Sequence, residues 1–157
     1  MFRNVPTRGI LVTTRKPVRI TGNRFDAMSM ASVYISADAY QWYESGPVAD
    51  LTIRGNSFTR PTGPVIFVEP TNQVVDPAHP VHRNISVEDN AFDIGDVTVV
   101  DAKSVGGFAF TGNTVRRLAG AAQPPYTSPL FVFHGSSGIR IAGNHYDKGL
   151  NTSVVTD

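Results

Sequence analysis

"LTIRGNSF", residues 51–58, decides the fold, because its pattern of apolar-x-apolar-x-x-Asn-x-apolar occurs five times in the chain. The other copies are VRITGNRF (18–25), ISVEDNAF (85–92), FAFTGNTV (108–115) and IRIAGNHY (139–146). Their asparagines lie 33, 34, 23 and 31 residues apart, in the order Asn23, Asn56, Asn90, Asn113 and Asn144. A period of about 20 to 50 residues indicates a repeat architecture, and the alternation of apolar and polar residues indicates β-strands.

A second strand candidate lies in each interval between copies. These candidates are SVYISAD (32–38), PVIFVEP (64–70), DVTVVDA (96–102) and PLFVFHG (129–135), and GILVTT (9–14) precedes the first copy. Each repeat therefore consists of a strand, an asparagine turn, a loop, a second strand and another loop. This order predicts an all-β chain, a right-handed parallel β-helix of about five coils that forms a single domain over residues 1–157. An antiparallel β-sandwich is the alternative, since its strands recur every 8 to 12 residues or so, but the constant phase of the asparagine favours the β-helix.

The repeated asparagine has a structural explanation. Asparagine tolerates left-handed backbone and bonds to neighbouring backbone, so it suits a sharp bend between two sheets. In stacked coils the five asparagines are expected about 4.8 Å apart, in a hydrogen-bonded ladder. The residues two positions further on are expected to form an apolar stack inside the helix: Phe25, Phe58, Phe92, Val115 and Tyr146.

Composition excludes several classes of function. The net charge of +1, from 14 basic and 13 acidic residues, gives no electrostatic reason to expect nucleic acid or an anionic membrane as a partner. Cysteine is absent, which excludes disulfides, thiolate zinc sites and cysteine nucleophiles. The apolar runs are far shorter than the roughly 20 residues that cross a bilayer, and MFRNVPTRG (1–9) does not look like a signal peptide. We therefore expect no membrane partner, and the localisation stays open.

Alignment of the second strands by their apolar pairs predicts a column of polar side chains. The pairs Val33/Ile35, Val65/Phe67, Val97/Val99 and Leu130/Val132 bring four residues to equivalent positions at the strand ends: Ala37, Glu69, Asp101 and His134. Asp38 lies one step beyond Ala37. Neighbouring coils then hold Glu69 and Asp101 about 5 Å apart, and Asp38 and Asp101 are expected about 10 Å apart. These spacings bracket those of the carboxylate pairs in glycosidases, although strand-end carboxylates also commonly cap turns or face solvent.

SADAYQWYESGPV, residues 36–48, is the other stretch with functional character. It contains Trp42, which is the one tryptophan of the chain, together with Tyr43, Asp38 and Glu44. Aromatic rings beside carboxylates are typical of sugar-binding sites, and the alternative is a packed loop with Trp42 buried at a sheet edge. His79 and His82 near Asp76 have a spacing that suits a metal only on a helix, and Pro77 and Pro80 argue against a helix, so no metal site is predicted.

Residues 9–58 resemble glycoside hydrolase family 110, the α-1,3-galactosidases. The resemblance is carried by RGILVTTRKPV, by WYESGPVADLTIRGNSF and more loosely by PVHRNISVEDNAF, and it extends over about residues 8 to 115. It implies a right-handed parallel β-helix from an exo-acting enzyme that removes terminal α-linked galactose with inversion and without a cofactor. By the match to WYESG, the residues expected to contact a sugar are Trp42, Tyr43 and Glu44. Glu44, Asp38 and Glu69 are the candidate catalytic carboxylates, and Asp101 joins the substrate-binding candidates.

The sequence departs from that family in one important respect. The Asp-Asp-Gly motif that supplies catalytic carboxylates in the family is absent from these 157 residues. We therefore expect the chain to be the carboxyl-terminal part of a larger, secreted catalytic domain, and two functions stay open: a carbohydrate-active β-helix, or a non-catalytic binding or structural module. Because the open edge of a truncated β-helix invites pairing, self-association through the amino-terminal coil, or capping by residues 1–8, is also expected.

Overall fold

The regular structure of the chain consists of short β-strands. The computed structural model describes residues 1–38, 46–121 and 125–157, and seventeen strands lie in these segments. In chain order they are β1 (Phe2–Arg3), β2 (Ile10–Val12), β3 (Val18–Thr21), β4 (Arg24–Asp26), β5 (Val33–Ile35), β6 (Leu51–Arg54), β7 (Ser57–Thr59), β8 (Ile66–Val68), β9 (His82–Glu88), β10 (Ala91–Ile94), β11 (Val100–Lys103), β12 (Val105–Thr111), β13 (Thr114–Arg117), β14 (Phe131–His134), β15 (Ser137–Ala142), β16 (His145–Tyr146) and β17 (Val154–Thr156). Within the same segments, no helix has the length and hydrophobicity needed to cross a membrane.

The strands form three parallel sheets that the chain visits in turn. The A sheet contains β1, β4, β7, β10, β13 and β16, the B sheet contains β2, β5, β8, β11, β14 and β17, and the C sheet contains β3, β6, β9, β12 and β15. Every strand pair in the described residues is parallel. Each coil therefore runs through the B, C and A sheets, and the described residues contain five complete coils with one extra strand at each end. This confirms the parallel β-helix with about five coils, and the antiparallel sandwich is wrong.

The repeated motif contains two strands, whereas the sequence pattern predicts one strand and a turn. In the second coil, β6 ends at Arg54 and β7 begins at Ser57. Gly55 and Asn56 form the bend between these two strands. The bend joins the C sheet to the A sheet, so each coil has three strands. The period-2 alternation continues across the bend, which is why the motif reads as one continuous strand.

The asparagine ladder is present along this bend. The Asn56 backbone N–H donates to Asn90 Oδ1 over 2.9 Å, and Asn56 Nδ2 donates to the same oxygen over 3.0 Å and to the Ile20 carbonyl over 2.8 Å. The step from Asn90 to Asn113 repeats the arrangement, as do the end steps from Asn23 and to Asn144. The ladder thus satisfies backbone groups at a buried corner, where an unpaired group is costly.

One detail of the asparagine prediction is wrong. The left-handed conformation belongs to the residue before each asparagine, which is Gly22, Gly55, Asp89, Gly112 or Gly143, with φ between 52° and 67°. Glycine adopts this conformation without steric cost, whereas the asparagine is chosen for its side-chain hydrogen bonds.

The predicted apolar stack lies inside the helix next to this ladder. Phe25, Phe58 and Phe92 are fully buried, and neighbouring rings lie nearly parallel with centroids 4.9 Å apart. Val115 and Tyr146 continue the column in register. Phe2, on β1, adds a ring at the other end, 4.9 Å from Phe25.

The register of the B sheet differs from the predicted one. Val33 pairs with Ile66, Ile66 with Val100 and Val100 with Phe131, where the apolar pairs of the sequence had suggested Val65, Val97 and Leu130. In three coils the residue just before the strand is a buried apolar residue, namely Val65, Val99 or Leu130. Two consecutive buried residues at the bend into the B sheet break the alternation, and so the pattern does not fix the first strand residue.

Candidate functional site

The outer face of the B sheet carries a column of polar side chains, but its members differ from the predicted ones. Extending the observed register by one residue gives Ser36, Glu69, Lys103, His134 and Asp157 in adjacent coils. Glu69 and His134 are thus placed in one column, as predicted. Ala37 and Asp101 are not in this column. Relative to β5, the observed register differs from the predicted alignment by one residue at β8 and by three residues at β11.

Lys103 is the residue that sequence reasoning missed. Its Nζ lies 2.9 Å from Glu69 Oε1 and donates to the Pro70 carbonyl over 3.2 Å. The Lys103 side chain is only 20% exposed, so the ion pair with Glu69 is partly shielded from water. The lysine therefore fixes both the carboxylate and the start of the segment that follows β8. Lys103 is not predicted at this position, because the predicted alignment places Asp101 beside Glu69.

Asp101 lies on the same outer face, two residues before Lys103 in β11. Its Oδ1 lies 3.8 Å from His134 Nε2, and His134 Nδ1 lies 2.8 Å from Asp157 Oδ2. Burial is the main cause that raises the pKa of Asp101, the nearby His134 opposes this rise, and the negative charge of Glu69 adds to it. The register places Asp101 beside Phe67 and diagonal to Glu69, instead of at the predicted position directly beside Glu69.

Two aromatic rings lie beside this cluster on the same outer face. Tyr34 and Phe67 precede Asp101 in its column, and their rings stack with centroids 5.4 Å apart. The Arg8 guanidinium lies 5.8 Å from the centre of the Tyr34 ring. The sequence signal for these residues is the apolar character of both faces of the predicted strands. The stack explains that character, since the rings cover each other on the outer face.

Asp38 lies nearby but is buried. It is 6% exposed, and one of its hydrogen bonds comes from Thr71 Oγ1, which donates to Asp38 Oδ1 over 3.3 Å. The Thr71 backbone N–H also donates to the Ala37 carbonyl over 3.4 Å. Asp38 thus ties the end of β5 to the segment after β8.

A groove begins where β5 and β8 end. Its volume is about 600 Å³, and it is lined by Arg15, Ala37, Gly46, Pro47, Pro70, Thr71, Asn72, Gln73, Val74 and Val81. Asn72 Nδ2 donates to the Val74 carbonyl, whereas Asn72 Oδ1 is buried without a hydrogen-bond partner among the described residues. A buried acceptor of this kind favours a ligand or water molecule that donates a hydrogen bond.

Two further groups that the sequence singles out are the WYESG residues and the histidines near Asp76. Trp42, Tyr43 and Glu44 lie outside the described residues, between Asp38 and Gly46. His79 is exposed, with Nδ1 2.7 Å from Asp76 Oδ2, while His82 is fully buried. In the described segments no group of three or more histidine and acidic side chains is arranged to hold a metal ion.

Comparison with known proteins identifies the relatives of this chain. No protein-family model matches it. It is 90% identical over 157 residues to "Alpha-1,3-galactosidase A" of Streptomyces avermitilis, an alignment that covers 100% of this chain and 25% of the relative. It is 51% identical to "Alpha-1,3-galactosidase A" of Peterkaempfera griseoplana over 99% of this chain and 24% of the relative. "Alpha-1,3-galactosidase B" of Bacteroides thetaiotaomicron is 37% identical over 99% of this chain and 26% of its own length.

The chain spans about a quarter of the length of the curated relatives it matches. The similarity extends over the whole chain, beyond the residues 8 to 115 on which the sequence resemblance rests. The parallel coils and these alignments agree with each other, and the resemblance of this chain to the α-1,3-galactosidases of glycoside hydrolase family 110 is confirmed.

Proposed function

We propose that this chain is the carboxyl-terminal part of a β-helical enzyme that hydrolyses terminal α-1,3-linked galactose, and that it supplies residues that contact the sugar. The observation that carries the proposal is a groove that begins at Pro70, directly after Glu69, in a chain whose relatives are named α-1,3-galactosidases. The sugar-contact residues are Glu69 and Asp101 on the outer face and Asn72 in the groove.

The chemistry of these groups suits a galactoside. Sugar hydroxyls both donate and accept hydrogen bonds, so they match the carboxylates of Glu69 and Asp101 and the Lys103 ammonium. They also match Asn72 Oδ1, which has no hydrogen-bond partner within residues 1–38, 46–121 and 125–157. The apolar groove walls, which include Pro47 and Val74, suit the C–H faces of a pyranose ring. Trp42, Tyr43 and Glu44 join this set as candidates by the match to the WYESG block, since their segment connects two residues that line the groove, Ala37 and Gly46.

The carboxylates differ in the roles that they suit. An inverting glycosidase needs one protonated carboxyl group as general acid and one carboxylate as general base. Asp101, whose pKa is raised, is suited to hold a proton, while Glu69 forms an ion pair with Lys103. Asp38 is less suited to reach a substrate, because it is buried and bonded to Thr71. We assign Asp38 to the support of the groove and keep Glu69, Asp101 and Glu44 as substrate contacts.

A second function, a non-catalytic binding or structural module, is favoured by a different observation. The Asp-Asp-Gly motif is absent from the sequence, and the chain corresponds to only a quarter of the length of its relatives. In that case the galactose contacts remain and bond cleavage does not occur in this chain alone.

The two functions are separated by assaying the 157-residue chain and the full-length Streptomyces avermitilis relative on an α-1,3-linked galactose disaccharide, with calorimetric titration of galactose in parallel. Galactose release by the short chain that is lost on Glu44→Gln or Glu69→Gln supports the enzyme. Galactose binding without release, weakened by Glu69→Gln, supports the module. Glu88→Gln is the matched control, because Glu88 ends β9 in the C sheet, and it should leave both readouts unchanged. Absence of both binding and release in the short chain contradicts the proposed sugar contacts.

A further inference from the structure

His82 is a buried histidine that no part of the proposed function uses. It begins β9, and its side chain is fully buried. The Val48 backbone N–H donates to His82 Nδ1 over 3.0 Å, and the Arg83 backbone N–H donates to the Val48 carbonyl over 2.8 Å. Both backbone groups of Val48 are therefore held by consecutive residues of one strand.

The hydrogen bond fixes the form of the imidazole ring. Because Nδ1 accepts from Val48, the ring is neutral and carries its proton on Nε2. Burial agrees with this form, since it lowers the pKa of His82 to about 4. His82 Nε2 has no hydrogen-bond partner among the described residues. A phenylalanine would fill the same space without an unpaired N–H, so the feature that distinguishes histidine at this position is the acceptor at Nδ1.

The two residues joined by this hydrogen bond adjoin residues that line the groove. Val48 follows Gly46 and Pro47, and His82 follows Val81, and these three neighbours line the groove. Gly46 also packs closely against the backbone of Thr13, since a Cβ atom on Gly46 would lie 2.1 Å from the Thr13 carbonyl oxygen. The contact between His82 and Val48 thus links the two chain segments that carry Pro47 and Val81.

We propose that His82 is a positioning residue of the groove: its neutral imidazole holds the Val48 backbone, and thereby keeps Pro47 and Val81 at the separation that a galactose ring requires. This rests on the proposed function, since it takes the groove as the place where the sugar binds. His82 itself makes no contact with the sugar in this arrangement, and its influence on binding passes through Val48.

The test compares two substitutions of similar polarity that differ in where they place an acceptor. In His82→Asn the side-chain oxygen lies near the position of Nδ1, whereas in His82→Gln it lies near the position of Nε2. The readouts are hydrogen exchange of the Val48 amide and calorimetric binding of galactose. Removal of one hydrogen bond is expected to speed the exchange and to weaken binding, each by about tenfold. We expect both effects in His82→Gln and in His82→Phe, and near-parental values of both in His82→Asn.

The possible outcomes separate this inference from the proposed function. Equal Val48 exchange in His82→Asn and His82→Gln overturns the inference, as does faster exchange in His82→Gln with unchanged galactose binding. If the parental chain binds no galactose, the proposed function fails, and the positioning of a sugar groove fails with it. The exchange data would then still report whether His82 holds Val48. If His82→Phe does not fold, the comparison of the asparagine and glutamine variants remains decisive.

Discussion

Lys103 Nζ lies 2.9 Å from Glu69 Oε1, at the place beside Glu69 where the sequence pattern predicts Asp101. This contact changes the chemistry of the outer face of the B sheet. Two adjacent carboxylates in one column would repel each other. Instead, Lys103 in the neighbouring coil pairs with Glu69, and Asp101 lies diagonal to Glu69. The face therefore holds one paired carboxylate and one with a raised pKa, which is an asymmetry that acid and base roles require.

Replacement of Glu69 by glutamine is expected to lower the pKa of Asp101. The negative charge of Glu69 is one cause of the raised pKa, and its removal also releases the Lys103 ammonium, which favours the ionised form of Asp101. A titration of the Asp101 carboxyl carbon by NMR measures the shift. Glu88→Gln, in the C sheet, is the control that should leave the titration of Asp101 in place. An Asp101 pKa that is the same in Glu69→Gln and in the parental chain would show that the two carboxylates do not interact.

Asn90→Ala is expected to destabilise the chain by about 3 kcal/mol or more. Asn90 is buried in the middle of the ladder, where it accepts from the backbone and side chain of Asn56 and donates to Asn113 and to the Ile53 carbonyl. Its loss leaves several buried groups unpaired, at about 1 to 3 kcal/mol each. Urea unfolding measures the change.

Asn23→Ala is the matched control for Asn90→Ala. Asn23 stands at the end of the ladder, where its side chain only donates, to the Thr21 carbonyl and to Asn56 Oδ1, so the expected loss is about 1 kcal/mol. Equal losses at the two positions would mean that the ladder is not a cooperative structural element.

The stability of the chain is expected to fall in mild acid because of His82. Its folded-state pKa of about 4 lies below the unfolded value of 6.5, so the unfolded chain binds the proton more tightly between these two values. Stability is therefore full above about pH 6.5, decreases as the pH falls, and reaches a new level below about pH 4. The size of the decrease is about 3 kcal/mol, from the difference between the two pKa values.

Urea unfolding at several pH values from 7 to 4 measures this dependence, with His82→Asn as the comparison. Asparagine does not titrate, so the variant should lack this part of the slope and keep the part that arises from other groups. The same pH dependence in both proteins would mean that His82 does not remain neutral in the folded chain.

When the 157-residue chain is prepared by itself, its end strands are expected to cause self-association. The B sheet ends at β2 and the C sheet at β3, and residues 1–8 add a strand only to the A sheet, through β1. Unpaired strand edges pair with other chains, so the sedimentation coefficient should rise with protein concentration. A charge on the end strand, as in Leu11→Lys, should reduce the effect, whereas Val155→Lys tests the opposite end. A monomer at every concentration would contradict the expectation.

The repeat, the asparagine ladder and the interior stack could all be predicted from the sequence. Asn56 and Phe58 lie at fixed positions relative to a bend that recurs in every coil, and local geometry alone fixes their roles. The B sheet could not be aligned in the same way. Val65 and Ile66 are both buried, as are Val99 and Val100, so the apolar pattern does not fix the register. The alignment of Val65 with Val97 in place of Val99 is what puts Asp101 in the Glu69 column.

The groove illustrates the other limit of the sequence. Gly46 lies in one coil, whereas Asn72 and Val81 lie in the segment between β8 and β9 of the next coil, and no sequence pattern connects them. They meet because successive coils stack on each other. The contact of His82 with Val48 arises in the same way, between residues 34 apart in the chain. Nothing in the local sequence of either residue indicates it.

The sequence by itself determined the architecture of this protein, because a β-helix is specified by short-range alternation and by a bend that every coil repeats. Only the tertiary structure decided which side chains share the outer face of the B sheet. The neighbours of each side chain depend on the register between adjacent strands. A register shift changes every neighbour, while the pattern of each strand stays the same. Lys103 beside Glu69, and Asp101 beside His134, are the result of that register.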